Sequence, residues 1–374
     1  MPLPRPATPA RSPFTVLTTV CALVYVGFGC TPPEPPGTQA AERVTAVAES
    51  AVPSPRDSTL RARRALPGAR MIPIATPAGD YEVYVRQIGE SDALKVLTLH
   101  GGPGGTHEFW EPLAEHLPAA GVELYYYDQL GSYFSDQPSD TTLWTIERFV
   151  DEVEQVRRAI GADASNFVVL GQSWGGILGM EYALRHQDKL KGLVVSNMMS
   201  SIPDYNRYVM ERLAPKLPAA VRDTLLAIEG AGAYDDPRYL SLLERHYYPR
   251  HVINMPLARW PEAVNRAFAH LNPEVYVYMQ GPSEFGVKGD ATLADWDITA
   301  RLGEIRVPTL VIAGGEDTMD PDYLRMMSER MPNGSYLLNP TGGHLVQFDS
   351  PDTYYPGLLS WLGALEQREQ PGEQ

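Results

Sequence analysis

The chain has 374 residues, of which 44% are hydrophobic and 21% charged, and it includes 34 prolines, 32 glycines and two cysteines. This composition is too apolar for a disordered protein and is long enough for one large domain or two small ones. The formal net charge of −15 at pH 7 repels phosphate backbones and argues against a nucleic-acid partner. Both cysteines, Cys21 and Cys30, lie near the N-terminus, so the sequence predicts a folded part without thiols.

The N-terminal segment has the pattern of an export signal. Arg5 and Arg11 precede an apolar run, Phe14–Phe28, that is short for a membrane-spanning helix. We expect residues 1–29 to form a signal peptide, with Cys30 lipidated as in bacterial lipoproteins. The alternatives are a plain signal peptide cleaved elsewhere and an uncleaved anchor. The predicted location is the bacterial cell envelope, where the lipid would hold the chain at a membrane facing the periplasm or the exterior.

Residues 30–67 have the composition of a linker. They begin with the sequence TPPEPPG after Cys30 and continue as a mixture of Ala, Ser, Pro and Arg without hydrophobic periodicity. Proline-rich segments of this kind are semi-extended spacers. The sequence therefore predicts a flexible tether between the lipid and the folded part.

From Met71 onward, short β-rich runs alternate with helical ones, which indicates an α/β fold with a mostly parallel sheet and helices on both faces. The predicted strands are Tyr81–Ile88, Leu94–His100, Val122–Asp128, Asn166–Leu170, Gly192–Ser196, Pro308–Ala313 and Ser335–Asn339. The predicted helices are Leu143–Ile160, Trp174–His186, Pro321–Met331 and Thr353–Leu365. Residues 198–302 break the alternation and are predicted to form a helical cap, inserted between two parts of the core at 68–197 and 303–370.

A nucleophile motif follows the strand predicted at Asn166–Leu170. The sequence Gly171-Gln172-Ser173-Trp174-Gly175 matches G-x-S-x-G, and a predicted helix follows it. In this strand–turn–helix context the serine lies on a sharp turn above the sheet and acts as a nucleophile. Ser173 is the predicted nucleophile; a glycine-rich turn without chemistry is the alternative.

A serine hydroxyl needs a base that is itself oriented by an acid, and in this fold the chain order is serine, acid, histidine. The acid is expected just after the strand Pro308–Ala313, at the carboxyl edge of the sheet. Asp317 is the predicted acid, with Glu316 and Asp320 as rivals. His344, in a loop of small residues after the last predicted strand, is the predicted base.

A second glycine-rich loop follows the strand that ends near His100. The sequence Gly101-Gly102-Pro103-Gly104-Gly105 lies where this fold supplies one amide of the oxyanion hole. Gly102 is the predicted donor, and the amide of Trp174, directly after the nucleophile, is the other. A phosphate-binding loop is the alternative, but no Lys-Ser or Lys-Thr pair completes such a motif.

Together these motifs resemble the proline iminopeptidase family of α/β-hydrolases, including its tricorn-interacting aminopeptidase branch. The resemblance extends from about Ile74 to Leu365. It rests on H-G-G-P-G-G (100–105), D-Q-L-G-S (128–132) with Ser135, G-Q-S-W-G-G (171–176), G-P-S-E-F (281–285) with Trp296-Asp297, Asp317, and Gly343-His344. It implies an α/β-hydrolase fold and hydrolysis of the first residue from short peptides, amides or arylamides, with no metal and no cofactor.

The resemblance also implies acids that bind the substrate's amino group. Glu284 matches one of them, and Glu244 is the nearest candidate for a second. The family's most typical proline-releasing members carry Arg where this chain has Leu130, so the released residue is expected to be proline or another small apolar residue. Two rival functions are an esterase, lactonase or amidase on neutral acyl compounds, and an anchored binding protein with an inactive hydrolase fold.

Overall fold

The computed structural model of the protein describes residues 65–91 and 93–367. They build one eight-stranded sheet in the order β1-β2-β4-β3-β5-β6-β7-β8. The β1–β2 and β2–β4 pairs are antiparallel, and every other neighbouring pair is parallel. The strands are β1 Ala69–Thr76, β2 Gly79–Ile88, β3 Leu94–Leu99, β4 Val122–Asp128, β5 Phe167–Gln172, β6 Gly192–Ser196, β7 Thr309–Gly314 and β8 Gly334–Asn339.

Helices cover both faces of this sheet and fill the segment between β6 and β7. The helices of the core are α1 Ile146–Ala159, α2 Trp174–His186, α9 Pro321–Arg330, α10 Val346–Asp349 and α11 Pro351–Glu366. Between β6 and β7 lie α3 Ile202–Tyr208, α4 Ala219–Gly230, α5 Pro237–His246, α6 Tyr248–His251, α7 Glu262–His270 and α8 Pro273–Met279. None of the helices in residues 65–91 and 93–367 has both the length and the apolar character needed to cross a membrane.

The central strands are buried on both faces because helices pack above and below them. All six residues of β5 are buried, and alternate side chains point to opposite layers. Phe167 and Val169 belong to the apolar layer that includes α1 and α2, whereas Val168 and Leu170 pack in the layer that includes α11. The carboxyl ends of these parallel strands therefore meet at one edge, where loops can bring distant residues together.

The structure differs from the sequence-based prediction mainly at its first strand. Residues 69–76 form β1, which pairs antiparallel with β2 at the edge of the sheet. Pro73 lies inside this strand, and proline normally argues against a strand because it cannot donate a ladder hydrogen bond. An edge strand tolerates it since only one side of the strand must pair. The predicted signal peptide, Cys30 and the linker up to residue 64 lie outside the described residues.

The junction of β5 with α2 depends on two glycines. A Cβ on Gly175 would lie 2.0 Å from the carbonyl oxygen of Leu99, and one on Gly171 would lie 2.0 Å from the carbonyl oxygen of Gly175. Helix α2 therefore approaches β3 and β5 more closely than any side chain would allow.

We expect Gly175→Ala to destabilise the fold by about 1–3 kcal/mol or more, because the added methyl group must push α2 away from β3. The matched control is Gly363→Ala in α11, where a Cβ meets nothing within 4 Å. That substitution should stabilise the protein by about 0.5–1 kcal/mol, the usual gain over a helical glycine. Urea unfolding midpoints of the two variants measure the difference, and equal midpoints would contradict the close approach.

Candidate active site

Ser173 lies on the sharp turn between β5 and α2. Its φ of 55° and ψ of −125° place a non-glycine residue in a region that L residues rarely adopt, as a nucleophile elbow requires. Its backbone amide donates to the carbonyl oxygen of Ser196 at 3.1 Å, which ties the turn to the end of β6. The side chain is thereby presented above the carboxyl edge of the sheet.

Asp317 and His344 meet across the ends of β7 and β8. Nδ1 of His344 lies 2.8 Å from Oδ1 of Asp317, and both side chains are buried. The same carboxylate oxygen accepts the backbone amide of Met319 at 3.1 Å and the hydroxyl of Thr318 at 3.2 Å. The Asp317 contact assigns the proton of the neutral imidazole to Nδ1, which leaves Nε2 as the basic atom.

Electrostatics at His344 favour its charged form. Burial would lower the pKa of the imidazole, but the adjacent Asp317 carboxylate and the more distant charge of Glu284 outweigh burial and raise the pKa above its ordinary value of 6.5. The Nε2 atom is buried and has no hydrogen-bond partner among the described residues. It is therefore available to take a proton.

Ser173 and His344 line one cavity. Its wall is mostly apolar, and it also contains one glutamate and the glycine loop after β3. The lining residues are Gly102, Phe109, Gln172, Ser173, Val252, Phe268, Leu271, Glu284, His344 and Leu345.

The two rival acids occupy other positions. Asp320 caps the N-terminus of α9, where its carboxylate accepts the amide of Asp322 at 3.0 Å. Glu316 forms a salt bridge at 2.9 Å with Arg250 of α6, in the segment between β6 and β7. Of the three acids, the structure brings only Asp317 into contact with His344.

The glycine loop and the nucleophile turn are joined by Gln129, a residue that no local motif marks for a separate role. Its side-chain amide donates to the carbonyl of His100 at 3.2 Å, and its carbonyl oxygen accepts the indole N–H of Trp174 at 2.8 Å. Its backbone amide donates to Nε2 of His100, whose pKa burial lowers to about 4. His100 is thus a neutral structural group, and Gln129 fixes the distance between the two predicted oxyanion-hole segments.

The two predicted oxyanion donors are placed as that role needs. Trp174 is the first residue of α2, so its amide has no partner within the helix. Gly102 lines the cavity with a φ of 111°, and in the described part of the chain its amide makes no hydrogen bond.

Glu284 lines the same cavity as Gly102 and is hydrogen-bonded by tyrosines. Tyr276 donates to Oε1 of Glu284 at 2.6 Å, and Tyr205 donates to the backbone carbonyl of Glu284 at 2.9 Å. Burial and the negative charge of Glu284 raise the pKa of Tyr276 well above its ordinary value. The nearby Lys288 pairs with Glu229 at 3.2 Å, and across residues 65–91 and 93–367 no salt bridge reaches Glu284.

Glu244 is not brought to this cavity. It is exposed on α5 and lines a separate open depression with Arg245, Pro249, Asn254, Met255, Pro256 and Leu257. Helix α5 presents it to the outside because Leu243, its neighbour in sequence, takes the buried position. The structure therefore places one of the two predicted amine-binding acids beside Ser173.

In the D-Q-L-G-S segment (128–132), Asp128 and Leu130 are buried and make structural hydrogen bonds. Asp128 is buried and accepts both the backbone amide of His107, at 2.7 Å, and its Nδ1, at 2.9 Å. Leu130 is buried and donates its amide to Glu152 at 2.9 Å. Neither Asp128 nor Leu130 lines the cavity.

This geometry defines an α/β hydrolase: it has a nucleophile turn, a buried acid–histidine pair and two backbone amides at one edge of a parallel sheet. Residues 96–351 match the family model described as the alpha/beta hydrolase fold. The chain is 48% identical over 292 residues to a proline iminopeptidase of Flavobacterium johnsoniae, with 78% of this chain and 97% of that protein covered. It is 49% identical over 295 residues to a proline iminopeptidase of Elizabethkingia meningoseptica, with the same shares covered. A crystal structure of a proline iminopeptidase from Mycobacterium smegmatis superposes with a TM-score of 0.70 at 31% identity, covering 80% of this chain and 98% of that one. The chain belongs to the proline iminopeptidase family.

The raised pKa of His344 predicts the pH dependence of serine reactivity. Labelling by a fluorophosphonate probe should increase with pH through a midpoint above 6.5, since only the neutral imidazole can accept the serine proton. Asp317→Asn removes the charge that raises this pKa while burial still lowers it, so the midpoint should move below 6.5 and the plateau rate should fall. Ser173→Ala is the control and should not label. A midpoint unaffected by Asp317→Asn would contradict the assignment.

Proposed function

We propose that the chain is a serine exopeptidase that releases the N-terminal residue, proline or another small apolar residue, from short peptides. One observation carries this proposal: Glu284, which makes no salt bridge within residues 65–91 and 93–367, lines the same cavity as Ser173 and His344. A free substrate ammonium would supply the missing cation. Family membership supports the same activity.

The proposed chemistry is acyl transfer in two steps. Ser173 Oγ attacks the scissile carbonyl carbon while Nε2 of His344 takes the serine proton, and the amides of Trp174 and Gly102 donate to the resulting oxyanion. His344 then gives the proton to the leaving amine as the peptide bond breaks, which leaves the first residue esterified to Ser173. A water molecule, deprotonated by His344, then attacks the ester carbonyl carbon. His344 returns the proton to Ser173 Oγ as the ester bond breaks, which releases the amino acid and restores the free enzyme. Asp317 stabilises the imidazolium in both steps.

Amine recognition explains why the enzyme would act only at chain ends. The Tyr276 hydroxyl orients the Glu284 carboxylate, and the partly buried setting strengthens its attraction for a cation. An internal peptide segment carries no ammonium and would leave this carboxylate desolvated and unpaired. Recognition of the amino group therefore disfavours internal cleavage.

The apolar wall of the cavity suits a small apolar first residue. The rings of Phe109 and Phe268 pack edge to face, with 5.6 Å between their centroids. The other apolar residues of the wall are Val252, Leu271 and Leu345. These groups can bury a pyrrolidine ring or a short aliphatic side chain, and they offer no partner for a charged one.

The amine contact separates the exopeptidase from an esterase, lactonase or amidase. We expect Glu284→Gln to raise KM for proline and alanine arylamides about tenfold or more, because a charged hydrogen bond of about 1.5–3 kcal/mol is lost. Hydrolysis of a short acyl ester without an amine should change little. Steady-state kinetics on both substrate types measures the difference.

The matched control is Asp290→Asn, an exposed acid six residues further along the chain, which should leave both substrates unaffected. Equal losses on arylamide and ester in Glu284→Gln would assign Glu284 a structural role. An unlabelled, inactive wild-type protein would instead favour a binding protein.

We further propose that the chain is exported and anchored to a membrane of the cell envelope by a lipid on Cys30. The support is the apolar run between Arg11 and the Gly29-Cys30 pair, followed by a proline-rich spacer. In a bacterial host fed an alkyne fatty acid, the wild type and Cys21→Ser should incorporate the label and Cys30→Ser should not. Equal labelling of Cys30→Ser would refute lipidation at this position.

A further inference from the structure

Asn197 directly follows β6 at the carboxyl edge of the sheet, next to the catalytic loops. Its φ of 55° lies in the left-handed region, which asparagine tolerates better than most side chains but which still costs free energy in an L residue. The residue is fully buried. A strained, buried polar residue persists only where its surroundings hold it in place, and such positions cluster at functional sites.

The amide of Asn197 is oriented by hydrogen bonds on both of its ends. Its Oδ1 accepts the hydroxyl of Ser196 at 2.7 Å. Its Nδ2 donates to Oδ2 of Asp317 at 2.7 Å and to the carbonyl oxygen of Gly343, the residue before His344, at 3.3 Å. One side chain therefore contacts the acid itself and the loop that carries the base.

The two oxygens of Asp317 have different partners. Oδ1 accepts from His344, Thr318 and Met319, whereas among the described residues the hydrogen bond to Oδ2 comes from Asn197. A buried carboxylate oxygen without a donor is costly, so loss of the Asn197 amide would favour rotation of the carboxylate toward another donor. That rotation would draw Oδ1 away from Nδ1 of His344.

Ser196, the residue before Asn197, contacts the turn that carries Ser173. The carbonyl oxygen of Ser196 accepts the backbone amide of Ser173 at 3.1 Å. The end of β6 thus contacts the loops of the nucleophile, the acid and the base, and it does so through residues that take no part in the bond-making steps.

We propose that Asn197 is a positioning residue, which locks the Asp317 carboxylate and the His344 loop in the geometry that proton transfer requires. The inference rests on the proposed function, since it takes Ser173, Asp317 and His344 as the reacting groups. Within the described part of the chain, Asn197 does not line the cavity that contains Ser173 and His344, so its effect passes through the Asp317 carboxylate and the His344 loop.

Asn197→Gly tests this, because glycine accepts a φ of 55° without strain while the whole side chain, with its hydrogen bonds to Asp317 and Gly343, is removed. We expect kcat for proline arylamide to fall about ten- to hundredfold, the range that corresponds to one hydrogen bond to a charged group, with KM changed less than about threefold. In the pH profile of kcat/KM, the midpoint of the acid limb should move by about half a pH unit or more. It moves up if the carboxylate stays beside His344 with its charge less neutralised, and down if the carboxylate turns away.

Asn197→Asp keeps the shape and the left-handed tolerance but replaces the donor with an acceptor. Its rate should fall below that of the wild type at alkaline pH, where both carboxyl groups of the pair are ionised and repel each other. The control Val194→Ala, on the same strand but in the opposite apolar layer, should lower stability without moving the acid limb. Wild-type kcat and an unmoved acid limb in both Asn197 variants would overturn the proposal.

The experiments distinguish a wrong exopeptidase assignment from a wrong positioning role for Asn197. If the wild type cleaves no arylamide but reacts with a fluorophosphonate, the exopeptidase assignment is wrong, and the pH profile of labelling still tests Asn197. If arylamide cleavage depends on Ser173 and is insensitive to both Asn197 substitutions, the function stands and the positioning role is wrong.

Discussion

A buried carboxylate is the constraint around which this site is built. Asp317 is fully shielded from solvent, and an ionised group in that position is tolerated only if hydrogen bonds replace the water that it has lost. Its donors come from three places in the chain: the loop after β7, the loop after β8, and Asn197 at the end of β6. Satisfying one charge therefore fixes the relative positions of three strand ends, and the acid–base geometry is a result of that requirement.

The base is also joined to the helical segment between β6 and β7. The amides of His344 and Leu345 donate to the carbonyls of His251 and Val252 at 2.8 and 2.9 Å. Val252 lines the cavity beside them. Arg266 of α7 pairs with the buried Glu108 at 2.9 Å, and Phe109 and Phe268, close to them in sequence, line the cavity. The segment that shapes the substrate cavity is thus bonded to the catalytic loops, so its fold and the alignment of His344 depend on each other.

Local sequence signals were enough to locate the parts of the site that lie within one turn or one motif. Ser173 could be predicted because the strand, the glycines and the following helix are contiguous. The order of the elements selected the loop of Asp317, but the choice among three neighbouring acids depends on which carboxylate faces His344. The position of Glu244 outside the cavity could not be predicted, because the rotation of α5 about its axis follows from packing of the whole segment. Asn197 gives no local sequence signal, because the two groups to which its Nδ2 donates, on Asp317 and Gly343, lie more than a hundred positions away along the chain.

The charges of the site act on one another through the cavity. Glu284 contributes to the raised pKa of His344, although Asp317 contributes more. An ammonium bound at Glu284 would neutralise that contribution, and because the cavity is largely apolar the effect would be weakly screened. The imidazole would then lose part of its preference for the protonated form when the amino group is in place. A substrate with a free N-terminus would therefore both fill the amine site and release the base for its first proton transfer, whereas a neutral acyl compound would do neither. In the proposed function, the same carboxylate would therefore link recognition of the chain end to the protonation state of His344.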